Sequence, residues 1–229
     1  MNIHAVICTR SRDEVTPTTN KLVKFLCDCG ILVYVIDKAT SIFAAYNGAF
    51  EKINPSDEDI MIFCHDDIDI REEPKVFVEK LKKELSDPGV GFVGPAGTTH
   101  LSKDAVWWDK ELWEAGKHRG KVSHINKQGQ EYVTYYGEPG SVATLDGLFL
   151  SAKPATIRAV GLQKPDYFEG EWDFYDIHYT TKALSLGYDN RVFDMSVLHN
   201  SRGELVGRDS WHLNRLAYID NNTVPLTLG

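Results

Sequence analysis

Four short apolar runs, residues 4–9, 31–36, 59–64 and 90–93, alternate with three stretches of helical spacing, and this alternation constrains the fold more than any other feature of the chain. The run at 31–36 is continuous and β-branched, the pattern of a strand covered on both faces, and 59–64 reads as a further buried strand. Between them, Leu22, Val23, Phe25 and Leu26 mark a helix over residues 16–29 that Gly30 stops. Residues 41–53 predict a second helix, left through Pro55-Ser56-Asp57, and residues 75–85 a third. An α/β domain is expected, with a central mixed, mainly parallel sheet flanked by helices. At 229 residues and 42% hydrophobic side chains, the chain can bury one large core of this kind.

The pattern changes across residues 98–141, where Trp107, Trp108, Trp113, Tyr132, Tyr135 and Tyr136 are mixed with glycines and charges in an irregular insertion. Within it, residues 121–125 and 131–136 flank Asn126-Lys127-Gln128-Gly129-Gln130 as a hairpin. Regular structure resumes with a strand at 143–152, a helix at 154–160, a helix ending at Leu186-Gly187, and a strand at 188–198 that delivers His199. One domain is expected over 1–203, with residues 204–229 a tail whose segment 209–220 packs back through Trp211, Leu213, Leu216 and Tyr218.

A formal charge of -8 argues against nucleic acid as a partner, although a metal ion or backbone N–H groups can still recruit phosphate. Cys8, Cys27, Cys29 and Cys64 have neither disulfide-framework nor zinc spacing and are expected as thiols. No signal peptide and no run of membrane-spanning length is visible, so a cytoplasmic location is the expectation.

Open α/β sheets bind ligands beyond the carboxyl ends of their strands. Four such ends are polar here: Thr9 and Arg10, Asp37, the His65-Asp66-Asp67-Ile68-Asp69 cluster, and His199. Three aspartates beside a histidine repel one another unless a cation or solvent relieves them, and carboxylates with a neutral imidazole suit Mn²⁺ or Mg²⁺ holding a diphosphate. A solvated loop after the strand is the competing reading, and a hydrogen-bonded structural role competes for His199. Asp173 and Asp176 fall at a helix start, where a carboxylate either caps the helix or reaches into a cleft as a base.

The order Asn47-Gly48, Phe63-Cys64-His65-Asp66-Asp67-Ile68, Asp146-Gly147-Leu148-Phe149, and Phe174-Tyr175-Asp176 followed by Leu186-Gly187-Tyr188 resembles the inverting family-2 glycosyltransferases of GT-A fold, in particular a compact branch with a His-Asp-Asp metal motif. The resemblance runs from Ile3 to Ser201 and implies a single, Rossmann-like GT-A domain. It implies a donor-nucleotide set of Thr9, Arg10, Asp37, Asn47 and Asp66, and a Mn²⁺ or Mg²⁺ ion on Asp67 and His199, with Asp69 and His65 as further candidates. It also implies Asp176 as catalytic base, with Asp173 as the alternative, and an acceptor side at Asp146 and Gly147. Trp107 and Trp108 are candidates for a sugar platform there, or else core or lid residues.

Two departures bear on these roles. His65 stands where many relatives carry an acidic residue, leaving open which of Asp66, Asp67 and Asp69 is the main ligand, and His178 stands where a second aspartate often follows the base. The activity implied is transfer of a sugar from a nucleotide-sugar, UDP-linked by default, to a hydroxyl of a glycan or glycoconjugate. A sugar nucleotidyltransferase fits less well, because Thr9-Arg10-Ser11-Arg12-Asp13-Glu14 lacks the glycines of a phosphate loop. A non-catalytic nucleotide- or sugar-binding module of the same fold is the reading from outside the enzymes.

Overall fold

The computed structural model describes residues 1–9, 16–200 and 209–228. The first part of the chain alternates as expected: β1 (Ile3–Cys8), α1 (Pro17–Asp28), β2 (Leu32–Ile36), α2 (Ile42–Ile53), β3 (Ile60–His65), β4 (Ile68–Ile70), α3 (Pro74–Glu84) and β5 (Val90–Gly94). Every residue of β1 and β5 is buried, as is all of β3 except its last residue, His65. Local chemistry sets the helix starts. The Thr16 side chain accepts from Thr19 N with Pro17 in the first turn, and the Ser41 side chain accepts from Ala44 N. Asn54 closes α2 in the left-handed conformation that ends a helix.

The second part comprises β6 (Ala96–Thr98), β7 (His100–Leu101), α4 (Lys110–Glu114), β8 (His118–Ile125), β9 (Glu131–Gly137), β10 (Gly140–Val142), β11 (Thr144–Leu145) and β12 (Phe149–Ala152). It continues through α5 (Pro154–Val160), α6 (Tyr175–Ser185), β13 (Asp189–Val192), β14 (Val197–His199), α7 (Asp209–Asn221) and β15 (Leu226–Thr227). The main sheet has seven strands in the order β10-β13-β5-β12-β3-β1-β2. Strand β1 runs parallel to β2 and β3, β13 runs parallel to β5, β12 lies antiparallel between β3 and β5, and β10 is antiparallel to β13, so the sheet is mixed, with three parallel and three antiparallel pairings.

The insertion at 98–141 is more regular than its composition suggests. Its strands join a second, six-stranded sheet, β11-β6-β8-β14-β4 with β9 on the far side of β8. The expected hairpin is β8–β9, with Asn126 accepting from Gln128 N and Gln130 N in its turn. Two expected single strands are each divided between the sheets. Residues 143–152 break at Asp146-Gly147 into β11 and β12, and residues 188–198 break into β13 and β14. Both breaks carry the chain from one sheet to the other, and the first, at Asp146-Gly147, lies at the site.

The proposed boundary between domain and tail, near residue 203, lies outside the described residues. Helix α7 docks on the domain through Tyr218 and Asn214, both buried. Asn214 uses its whole amide: Oδ1 accepts from Gly170 N at 2.8 Å, while Nδ2 donates to the carbonyls of Gly170 at 3.1 Å and Asp173 at 3.0 Å. Asn214→Ala strands these groups, each at a cost of about 1–3 kcal/mol that water partly offsets. The expected result is a thermal midpoint lowered by roughly 5–10 °C. Among the described residues, no helix is long and apolar enough to cross a membrane.

Candidate metal centre and acidic cleft

The carboxyl ends of β2, β1 and β3 lie side by side and present Asp37, Thr9 and the His65-Asp66-Asp67 turn along one edge. Thr9 N donates to Ile36 O at 3.0 Å, lacing the first two ends together. Asp37 is exposed in the turn after β2, and the Asp66 carbonyl accepts from Thr19 Oγ1 at 3.0 Å. Arg10 lies outside the described residues. Asn47 is engaged by other side chains: its Nδ2 donates to Glu51 and its Oδ1 accepts from Gln163.

His199 reaches the turn through the second sheet. Strand β14 pairs antiparallel with β4, setting His199 opposite Ile68, and Asn200 N donates to Asp67 O at 2.8 Å. Backbone pairing thus fixes a strand end and a turn, 132 residues apart in sequence, against each other. Asp67 Oδ1 lies 3.4 Å from His199 Nε2 and 3.8 Å from His65 Nδ1. His65, Asp67 and His199 each offer one ligand atom, all within 4.8 Å of one another. Asp67 Oδ1 is buried and lacks a hydrogen bond of good geometry, the condition of a carboxylate oxygen placed to ligate. Burial acts most strongly on Asp67 and pushes its carboxyl up, but His199 and His65 outweigh it and leave the value below the ordinary range. Conversely, burial lowers His199, while Asp67 and Asp146 outweigh that effect and raise it.

Asp69 is turned away from this group. Its carboxylate is held by Lys21 Nζ and by Arg71 Nε, so its charge is neutralised by side chains. Among the described residues, the cluster with metal-ligand spacing contains neither Asp66 nor Asp69.

A second acidic pair lies beside this cluster, at the start of α6, where the Tyr175 hydroxyl lies 2.7 Å from His65 Nε2. Phe174 caps α6 in a left-handed conformation, φ 69°, boxed by the rings of Phe168, Trp211 and Tyr218. Tyr175 and Asp176 follow in the first turn. Asp176 Oδ2 accepts from Gly147 N at 3.1 Å and Oδ1 from Ile177 N at 2.9 Å. Burial first, and Asp146 second, push the Asp176 carboxyl up to about 7, and burial also raises Asp146 against the pull of His199. Asp146 and Asp176 are each half-buried residues, brought together by the bond from Gly147 N to Asp176 Oδ2. Asp173 has a different position: its Oδ2 accepts from Ser210 Oγ at 2.9 Å, tying the loop to α7.

Gly147 sits where nothing larger fits. An added Cβ would press on the Tyr175 hydroxyl and lie 2.9 Å from Asp176 Cβ. Gly147→Ala should lower the unfolding free energy by about 1–3 kcal/mol, read by urea denaturation, because the start of α6 must shift.

A family model for a glycosyltransferase-like family matches residues 21–201. The chain belongs to that family. The chain is 26% identical over 195 residues to the streptomycin biosynthesis protein StrF of Streptomyces griseus, a match covering 82% of the chain and 63% of StrF. It therefore spans less than two thirds of that relative's length. Its fold is shared with GalNAc-T7, solved with UDP, GalNAc and Mn²⁺, at a TM-score of 0.60 and 10% identity over 96% of this chain and 48% of that one. A197 from STIV superposes at a TM-score of 0.51, with 14% identity over 88% of this chain and 86% of that one. The chain thus has the GT-A fold.

Some of the aromatic contacts beside this site were not legible in the sequence. Trp107 is buried among Trp108, His118 and Tyr136, while the partly exposed Trp108 leans on Trp211 of α7 at a centroid distance of 5.7 Å. Trp211 in turn contacts Phe174, so the tail contributes an aromatic wall beside the helix that bears Asp176. His124 stands in register with His199 on the neighbouring strand and stacks over Tyr132. The sequence marks Trp211 as packing back on the domain but not which rings it meets, and nothing near His124 signals its neighbours; these contacts depend on pairing across the second sheet and on docking of α7.

Proposed function

We propose that the protein is a metal-dependent, inverting glycosyltransferase that moves a sugar from a UDP-linked donor to a hydroxyl of a glycan or glycoconjugate. The observation that carries the reading is the His65–Asp67–His199 cluster, with its buried and unsatisfied carboxylate oxygen, on the sheet edge that also bears Thr9 and Asp37. Two imidazoles and one carboxylate suit Mn²⁺ better than Mg²⁺, which prefers an all-oxygen shell. The structural neighbour solved with UDP and Mn²⁺ supports the same choice. When bound, the cation stabilises the charge of the departing nucleoside diphosphate.

The chain's own residues do the rest. Thr9, Asp37 and Asp66, with Arg10 from the sequence reading, hold the nucleotide along the edge, whereas Asn47 is committed to Glu51 and Gln163 and is left out of this set. Asp176 is the base. Its elevated value, about 7, matches removal of a proton from an acceptor hydroxyl near neutrality, and Asp173 is already held by Ser210. The deprotonated acceptor then attacks the anomeric carbon from the face opposite the leaving group, inverting it in one displacement. Trp108 and Trp211 offer apolar ring surface to a sugar on the acceptor side.

The test is a panel of UDP-, GDP- and dTDP-hexoses with Mn²⁺ and glycoside acceptors, read as release of nucleoside diphosphate and by NMR of the product anomer. Acceptor-dependent release with an inverted anomer is expected. Metal-dependent binding of a nucleotide with no product across the panel would favour a non-catalytic binding module instead.

A further inference from the structure

We propose that Tyr175 is a positioning residue of the metal centre: its hydroxyl holds His65 in the tautomer that can ligate a cation, and ties that ligand to the turn and helix carrying Asp146 and Asp176. The inference rests on the metal reading of His65, Asp67 and His199. Its basis is a chain of two hydrogen bonds. The Tyr175 hydroxyl donates to the Gly147 carbonyl at 2.8 Å, and His65 Nε2 lies 2.7 Å from the same hydroxyl oxygen. A carbonyl only accepts, so the single phenolic proton is engaged by Gly147, and the Tyr175 oxygen accepts from His65. Neutral His65 therefore carries its proton on Nε2, and Nδ1, which faces Asp67 Oδ1 at 3.8 Å, presents its lone pair to the cluster. The opposite tautomer would aim an N–H at the cation and block ligation.

The hydroxyl is held rigidly enough to enforce this choice. The Tyr175 ring is buried in edge-on contact with Phe43, Tyr46 and Tyr179, which fix the angle at which the oxygen reaches His65. Its backbone opens α6, one residue before Asp176, and its acceptor Gly147 donates its own N–H to Asp176 Oδ2. One phenol thus spaces the cation's ligand from the base. Partners behind ligating imidazoles act in this way in metal sites generally, and their loss weakens metal binding about 10- to 100-fold.

The test is Mn²⁺ affinity, measured by electron paramagnetic resonance, for the wild type, Tyr175→Phe, Tyr179→Phe, His65→Ala and the His65→Ala/Tyr175→Phe double variant. Tyr175→Phe keeps the packed ring and should lose about 10- to 100-fold in affinity. Tyr179→Phe removes a hydroxyl of the same helix that donates to Leu162 O at 2.7 Å, far from His65's bond, and should leave the affinity unchanged. The double variant should bind no more weakly than His65→Ala alone, because Tyr175 acts through His65. Wild-type affinity in Tyr175→Phe, or equal losses in Tyr175→Phe and Tyr179→Phe, overturns this inference alone. A wild type that binds no Mn²⁺ overturns it together with the metal reading.

Discussion

Asp176→Asn should slow sugar transfer about 100- to 10,000-fold, the range a general base contributes, while Mn²⁺-dependent nucleotide binding persists. The amide has nearly the shape of the carboxylate but cannot take a proton, and the cluster at His65, Asp67 and His199 is untouched. In the wild type, kcat/KM should fall as pH drops through the ionisation of Asp176, whose value stands near 7 without a cation. A bound cation draws that limb to lower pH, since positive charge nearby favours the carboxylate.

The same variant should leave a signature in stability. The folded value of Asp176 lies above the ordinary 3.8, so below pH 4 the group is neutral in both states and costs nothing. As pH rises from about 4 to about 7, the unfolded carboxyl ionises while the folded one keeps its proton, and stability contributed by this group is lost. His178 acts oppositely, because burial lowers it to about 4 and favours the folded state as pH rises towards 6.5. The difference between wild type and Asp176→Asn removes that contribution. It should shift against the wild type by about 1–3 kcal/mol between pH 4 and pH 7, well under the full linkage value because the carboxyl keeps some access to water. Urea denaturation of metal-free protein at the two pH values measures it; a pH-independent difference would contradict the placement of Asp176.

Asp67→Ala should abolish Mn²⁺ binding yet leave the metal-free fold close to wild-type stability. These two outcomes rarely accompany one substitution, and the geometry explains both. The turn is held by its backbone, through Asn200 N to Asp67 O, and that bond survives removal of the side chain. The lost carboxylate is partly exposed, with only Oδ1 buried, so its removal relieves a modest desolvation while forfeiting the attraction of His199 and His65. Two imidazoles remain, and without the anion between them they hold a divalent cation poorly. Electron paramagnetic resonance of added Mn²⁺, beside a thermal melt of the metal-free variant, checks the pair. Undiminished Mn²⁺ binding would move the centre elsewhere, and a collapsed melt would make Asp67 structural.

The alternating part of the fold was legible because its signals are local. Strands β1, β3 and β5 are covered on both faces and therefore read as unbroken apolar runs, and Thr16, Ser41 and Gly30 punctuate the helices between them. Of the second sheet only the β8–β9 hairpin was legible, since several of the other strands are two or three residues long and find their partners far along the chain. The same limit governed the site. Asp67 and His199 could be named as polar strand ends, but their approach depends on β4 pairing with β14. Asp69 could not be separated from Asp67 by type or spacing; Lys21 and Arg71, which hold it, are identifiable only in three dimensions. Tyr175 stood in plain view beside Asp176, yet only the folded chain brings its hydroxyl to both His65 and Gly147.

The central claim, a nucleotide-sugar site built around a cation, is tested most directly by calorimetric titration of UDP, GDP and dTDP into the wild-type protein with and without Mn²⁺. Binding of one nucleotide, UDP, that requires Mn²⁺ is the predicted result. Equal UDP binding with and without the metal, or no binding of any of the three, would contradict it.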